Sequence, residues 1–206
     1  MILKELDPFL GGPDDVAARI PADKLAYCLR RFYRRSTEVD IVNDLSIRSG
    51  RPPARVDHLV IHSLGFLVIE REDGGRRVRV DDDGQWLQCE GAQNLPMASP
   101  ITRAYVQALL LKAVLGRRVR QKGFFDHLEL DVLVVVSDDC VVEWPPTGPL
   151  PEVCVRDQLI QRISTRLLQC RAQASGTGAL NAGERRILGE FLRQSHMTPL
   201  DGDEQA

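Results

Sequence analysis

The sequence predicts an α/β domain, a central mixed β-sheet flanked by helices, on three observations. Two adjoining apolar runs, RVDHLVIH and GFLVIERE, have the short period of paired strands. A continuous run, LDVLVVV at residues 130–136, has the character of a strand buried on both faces. Between and around them, segments at 22–35, 99–116 and 152–172 place apolar residues at helical spacing. Both faces of the 55–72 hairpin carry apolar residues, which fits a sheet sandwiched between helices.

Taken in order, residues 1–20 have no clear period and contain the breaker Gly11-Gly12-Pro13, so they form an irregular segment. Pro21 opens a helix over 22–35 with Leu25, Cys28, Leu29 and Phe32 on one face and a basic end at Arg30, Arg31, Arg34 and Arg35. EVDIVNDLSIR predicts a strand at 39–48, and Ser49-Gly50-Arg51-Pro52-Pro53 a loop. Strands at 55–62 and 65–72 flank Ser63-Leu64-Gly65, short enough for a hairpin. An extra hairpin follows at 76–89, turning at Asp81-Asp82-Asp83-Gly84, an acidic run that fits a solvated turn better than a metal site. Ser99 caps the next helix and Pro100 suits its first position, with no breaker until Gly116. A short strand is predicted over residues 140–144 and a stiff Pro-rich connector over 145–149. Then comes the helix at 152–172, with Val155, Leu159, Ile163 and Leu167 at four-residue steps. A last helix is capped by Asn181 and striped by Ile187, Leu188 and Leu192, and DGDEQA forms a tail. The domain proper thus spans 21–196, between the segment 1–20 and a tail at 197–206.

Composition narrows the function. No apolar run reaches the ~18 residues of a membrane span, and MILKELDPFLGGPDD lacks the apolar core of a secretory leader. Five cysteines stand singly, with no C-x-x-C pair, which predicts reduced thiols, no zinc site and a cytoplasmic setting. With 27 basic against 29 acidic side chains, any surface for a phosphate-bearing partner is local. Neither a Walker-type phosphate loop nor a G-x-S-x-G elbow is present, so P-loop hydrolysis and serine esterase chemistry are unsupported.

The hairpin holds the chemistry. A two-residue loop, whether Ser63-Leu64 or Leu64-Gly65, sets Asp57 across from Glu70 or Glu72 and puts all three carboxylates on one face. A three-residue loop would instead oppose Asp57 with Arg71. Like charges facing one another destabilise a strand pair, and Leu59, Ile61, Phe66 and Val68 on the same face raise the cost. A positive partner is therefore expected, either a divalent cation such as Mg²⁺ or arginine side chains. His58 and His62 fall on the opposite face, where packing against a covering helix explains them better than metal ligation. Trp86 reads as a packing residue.

The succession V-D-H-L-V-I-H-S-L-G-F-L-V-I-E, then G-Q-W, then Ser99-Pro100-Ile101, resembles the nuclease-related domain family over roughly residues 22 to 195. Members typically carry an I-D-H strand, a glycine turn, an I-E-x-K strand and an N-P-[apolar] helix start. The family is related to PD-(D/E)xK nucleases, so the resemblance implies a restriction-endonuclease-like fold. It also implies a metal-dependent nuclease that hydrolyses phosphodiester bonds, DNA favoured, with Asp57 and Glu70 as ligands to Mg²⁺ or Mn²⁺. The Arg71 carbonyl is a further ligand by the same resemblance. Here the motif lysine is replaced by Glu72, which implies a third ligand, a general base, or loss of activity. Arg103 falls where the family commonly has Gln and is the candidate substrate-binding cation. The alternative is a catalytically inactive nuclease fold that binds nucleic acid or a protein partner in a DNA-processing or defence assembly. Strandedness, sequence preference and oligomeric state are left open by the pattern.

Overall fold

A computed structural model describes residues 1–12, 16–48, 53–73, 77–118, 125, 127–173 and 179–198. The N-terminal stretch, expected to be irregular, instead opens with strand β1 (Ile2–Lys4) and ends inside helix α1 (Val16–Tyr33). Helix α1 starts well before the predicted residue 22 and contains Pro21 in its second turn. As the sixth helical residue, Pro21 lies past the four amides that lack intrahelical partners, so it removes one hydrogen bond of the helix. Leu25 and Leu29 are buried as the spacing predicted, whereas Phe32 is 59% exposed.

Strands β2 (Val39–Ile47), β3 (Ala54–His62) and β4 (Gly65–Glu72) form an antiparallel meander. His62 pairs with Gly65, so the turn is the two-residue loop Ser63-Leu64. Here the predicted hairpin and the structure agree. Helix α2 (Pro100–Arg118) precedes strand β8 (Glu129–Val136), which lies parallel to β4 with Glu70 opposite Val134 and Glu72 opposite Val136. Strand β10 (Val153–Val155) completes a mixed six-stranded sheet in the order β1-β2-β3-β4-β8-β10.

The predicted hairpin at 76–89 belongs to a second sheet. Strands β5 (Arg77–Val80), β6 (Trp86–Glu90), β7 (Gln93–Met97) and β9 (Val141–Glu143) form it in the order β7-β6-β5-β9. Its turn at Asp81 is the expected one, since the Asp81 carboxylate accepts from the amides of Asp83 and Gln85. Trp86 is buried in the small core that joins Val78 and Val80 to Val134 and Val136.

The helix predicted at 152–172 is divided. Residues 153–155 are β10, a single 3₁₀ turn follows at Arg156–Gln158, and helix α3 runs from Leu159 to Gln173. Val155 therefore ends a strand, while Leu159, Ile163 and Leu167 form the buried helical stripe. Helix α4 (Ala182–Gln194) starts with Asn181 and Glu184 in a reciprocal capping box. Its stripe uses Leu188 and Leu192, but Ile187 is 73% exposed and the buried Arg185 donates to the Thr37 carbonyl instead. The DGDEQA tail lies outside the described residues.

Two cores sandwich the main sheet. One joins Leu59, Ile61, Phe66, Val68 and Val132 to Ala104, Ala108 and Leu111 of α2 and to Leu188 and Leu192 of α4. The other joins Val60, Leu67, Ile69 and Leu133 to Leu25 and Leu29 of α1 and to Leu159 and Ile163 of α3. Each such side chain taken fully from water stabilises the fold by roughly 1.5–3 kcal/mol before entropy is counted. Gly189 brings α4 against β1, since a Cβ there would overlap Leu3 Cδ1. Leu3 is the end of a flexible side chain, so Gly189→Ala should cost only about 1 kcal/mol in a urea titration.

Candidate active site

The strand alternation changes phase where the carboxylates sit. In β2, Val42, Leu45 and Ile47 all join the α2-side core, and in β3 so do Val56, Leu59 and Ile61. An uninterrupted period of two cannot place even and odd residues together, so both strands switch face midway. The switch coincides with Asp44, whose φ of 52° is left-handed, and with Asp57 in the neighbouring strand. Aspartate tolerates that conformation better than most residues.

At the switch, the regular β3–β4 ladder ends with His58 opposite Ile69. One step on, the backbone N–H of Arg71 donates to Asp57 Oδ2 at 2.8 Å. Arg71 Nε also lies 3.4 Å from the same oxygen, an ion-pair distance without hydrogen-bond alignment. The Arg71 side chain continues to Asp73 at 3.2 Å. Asp57 thus serves as the terminal acceptor of the hairpin and carries its own cation. This refines the expectation that all three carboxylates act as one face.

Glu70 and Glu72 do share a face, and Arg103 binds both. Arg103 stands in the first turn of α2, where the Ser99 hydroxyl accepts from the Thr102 amide at 3.3 Å. Its Nε lies 2.7 Å from Glu70 Oε1 and its Nη2 lies 3.0 Å from Glu72 Oε2. Nη2 also donates to the Arg71 carbonyl at 3.3 Å. A planar guanidinium suits this two-pronged grip, which a lysine could not reproduce. The carboxylates are the enclosed partners, at 12% and 6% exposure, against 40% for Arg103.

The electrostatics follow from that enclosure. Burial, and then the charge of Asp57, push the Glu70 pKa up, while Arg103 and Arg71 pull it down. Burial alone would lower the Arg103 pKa, but the hydrogen bonds and charges of Glu70 and Glu72 hold it above its ordinary value. Burial likewise raises the Asp73 pKa against the pull of Arg71.

His58 and His62 are both buried, as packing predicted, and burial pushes each pKa down to about 4. His58 Nδ1 meets Asn43 Oδ1 at 2.9 Å, so the neutral ring carries its proton on Nδ1. His62 Nδ1 accepts from the Leu64 amide at 3.3 Å inside the hairpin turn. Neither ring approaches the carboxylates through a hydrogen bond.

The predicted residues Asp57, Glu70, Glu72 and Arg103 are therefore neighbours, joined through Arg71. Missing from the sequence reading was the Arg71 side chain. Its signal was available: a cation between two acidic residues, next to a strand whose register had been worked out. A model of the nuclease-related domain matches residues 22–138, more than half of the chain.

The chain belongs to the nuclease-related domain family.

Searches of curated proteins and of solved structures returned no match. The mixed sheet between helices agrees with the nuclease-like fold that membership implies. No helix among the described residues is long and apolar enough to cross a membrane.

The nuclease-related domain family implies a divalent metal. Among the described residues, no group of three or more His, Cys, Asp or Glu side chains forms a metal cluster. The available set is smaller and entirely oxygen: the carboxylates of Asp57 and Glu70 and the carbonyl of Arg71. Asp57 spends Oδ2, and Glu70 spends Oε1, on arginine contacts. Two carboxylates and a carbonyl on one hairpin fit a hard dication such as Mg²⁺, which also keeps several waters. The residues fit the group in chemistry, with Arg103 as the cation already bound to part of that set.

Proposed function

We propose that this nuclease-related domain hydrolyses phosphodiester bonds of nucleic acid, DNA favoured, with Mg²⁺ or Mn²⁺ held by Asp57 and Glu70. The observation that carries this reading is Arg103, which brings a cation to Glu70 although the strand supplies Glu72 instead of lysine. When bound, the metal supplies an activated water and charge stabilisation at the phosphate. Asp57 on β3 and Glu70 on β4 provide its oxygen ligands from adjoining antiparallel strands, and the pairing of β4 with β8 holds Glu70 in place. Arg103, at 40% exposure, presents guanidinium N–H groups to a phosphate oxygen. Glu72, at 6% exposure, is too enclosed to meet the substrate first and serves to hold Arg103 in the site. Arg55, exposed two residues before Asp57, adds positive charge where the strand emerges. The cytoplasm, with its reduced thiols, is the setting we assign; the cysteines at 28, 89, 140, 154 and 170 are all free.

The test is cleavage of plasmid and single-stranded DNA in Mg²⁺ or Mn²⁺, beside an Asp57→Asn variant. Even outer-shell changes at metal sites cost 10–100-fold, so loss of a ligand should lower cleavage at least about 100-fold. A folded Asp57→Asn protein that cuts at the wild-type rate would falsify the assignment.

A second reading has its own observation. Arg103 already occupies Glu70 and the Arg71 carbonyl, two of the three groups assigned to the metal. On that reading the fold binds nucleic acid or a protein partner without cutting. It requires salt-sensitive DNA binding, or capture of a defined partner, with no turnover in any divalent metal.

A further inference from the structure

The grip of Arg103 raises a question of charge balance. Glu70 and Glu72 are enclosed and held in register against β8, whereas Arg103 is the solvent-facing member of the trio. Withdrawing the guanidinium with nothing in its place would leave Glu70 and Glu72 without it, beside Asp57. That is costly for enclosed like charges. Introducing a dication while Arg103 stays would crowd two cations onto Glu70 and the Arg71 carbonyl. Each event is unfavourable alone and favourable together.

We propose, resting on the metal-dependent reading above, that Arg103 is an exchangeable counter-ion that couples divalent-cation binding to phosphate binding. In the ligand-free protein it neutralises Glu70 and Glu72 and fills the carbonyl of Arg71. A phosphate group draws the guanidinium outward, which releases Glu70 Oε1 and the Arg71 carbonyl to the dication. The dication in turn frees Arg103 for the phosphate. Coupling of this kind is reciprocal, so each ligand tightens the other by the same factor. The exchange makes the metal site weak until substrate arrives. It also assigns Glu72 a purpose, because Glu72 is the anchor that holds Arg103 in the closed position.

The experiment is calorimetric titration of Mn²⁺ into wild-type protein and Arg103→Gln, each with and without a non-cleavable phosphorothioate dinucleotide, subtracting the dinucleotide's own heat. Removing the competing cation should tighten Mn²⁺ binding about tenfold without the dinucleotide. The dinucleotide should tighten Mn²⁺ binding about tenfold in wild type and leave Arg103→Gln unchanged. Arg103→Lys, which keeps a charge beside Glu72 but loses the fork, guards against misfolding and should shift about threefold in the same direction. Equal Mn²⁺ affinity in wild type and both variants overturns the exchange while leaving the metal-dependent reading standing. Absence of Mn²⁺ binding in all three overturns both.

Discussion

Gly65→Ala should abolish stable folding or cost roughly 3 kcal/mol or more, among the largest effects of any single methyl group in this chain. Gly65 follows the two-residue turn and faces Glu129, where β4 begins its parallel pairing with β8. A Cβ at this position would lie 2.7 Å from Glu129 N and 2.8 Å from Glu129 C, and closer still to the carbonyl oxygen. These are backbone atoms held by the ladder, so no rotamer change relieves the overlap. Either β8 moves away or the hairpin tilts, and Glu70 moves with it. Gly84→Ala is the control. There φ is 77° but nothing lies within 4 Å, so only the backbone penalty of about 1 kcal/mol applies. Urea titration of both variants decides the matter, and a Gly65→Ala protein as stable as Gly84→Ala would refute close packing at the turn.

Acid should unfold the protein through its buried histidines. His58 and His62 have folded pKa values near 4, chiefly because burial disfavours the charged ring. For His62, the charges of Arg171 and Arg185 add to the effect. The ordinary value is near 6.5, so between pH 6.5 and 4 the unfolded chain binds protons that the folded chain refuses. Stability is therefore highest above pH 6.5, falls as pH drops toward 4, and levels off below it. Each ring contributes up to about 3 kcal/mol. Glu70, Asp73 and Asp131 act in the opposite sense, since burial raises their pKa values and the folded state holds their protons more firmly. They offset part of the loss at the lower end of the window. Denaturant titrations at pH 7, 5.5 and 4 should show the decline, and His62→Gln should flatten it by about the share of one ring. A pH-independent wild type would contradict the burial of both imidazoles.

Much of this was legible because strands of period two and a two-residue turn leave little freedom. Once Ser63-Leu64 is the loop, the register follows from His62 opposite Gly65 as far as His58 opposite Ile69. The cap at Ser99, the box at Asn181 and the run at 130–136 are equally local signals. What escaped was set by tertiary contact. Val153–Val155 was hidden because Val155 continues a four-residue rhythm into Leu159, although the chain at Val153 adds to the edge of β8. Ile187 suits a helical stripe, yet α4 packs on the faces of Leu188, Leu192 and Gly189. The change of face at Asp44 and Asp57 has no compositional mark, because either aspartate also suits a regular strand end. It nevertheless determines that Asp57 meets the Arg71 amide while Glu70 and Glu72 meet Arg103.

The order of the strands bears on how the molecule avoids its neighbours. The long β-branched segments lie inside the main sheet, and the valine run of β8 pairs along its whole length with β4 and over residues 134–136 with β10. Its two borders are three-residue strands, β1 and β10, too short to template another chain. The small sheet ends in the three-residue β9 on one side and on the other in β7, where Pro96 has no amide proton to donate. The end of LDVLVVV is thus shielded from further pairing by its position, with the sheet borders abbreviated or interrupted.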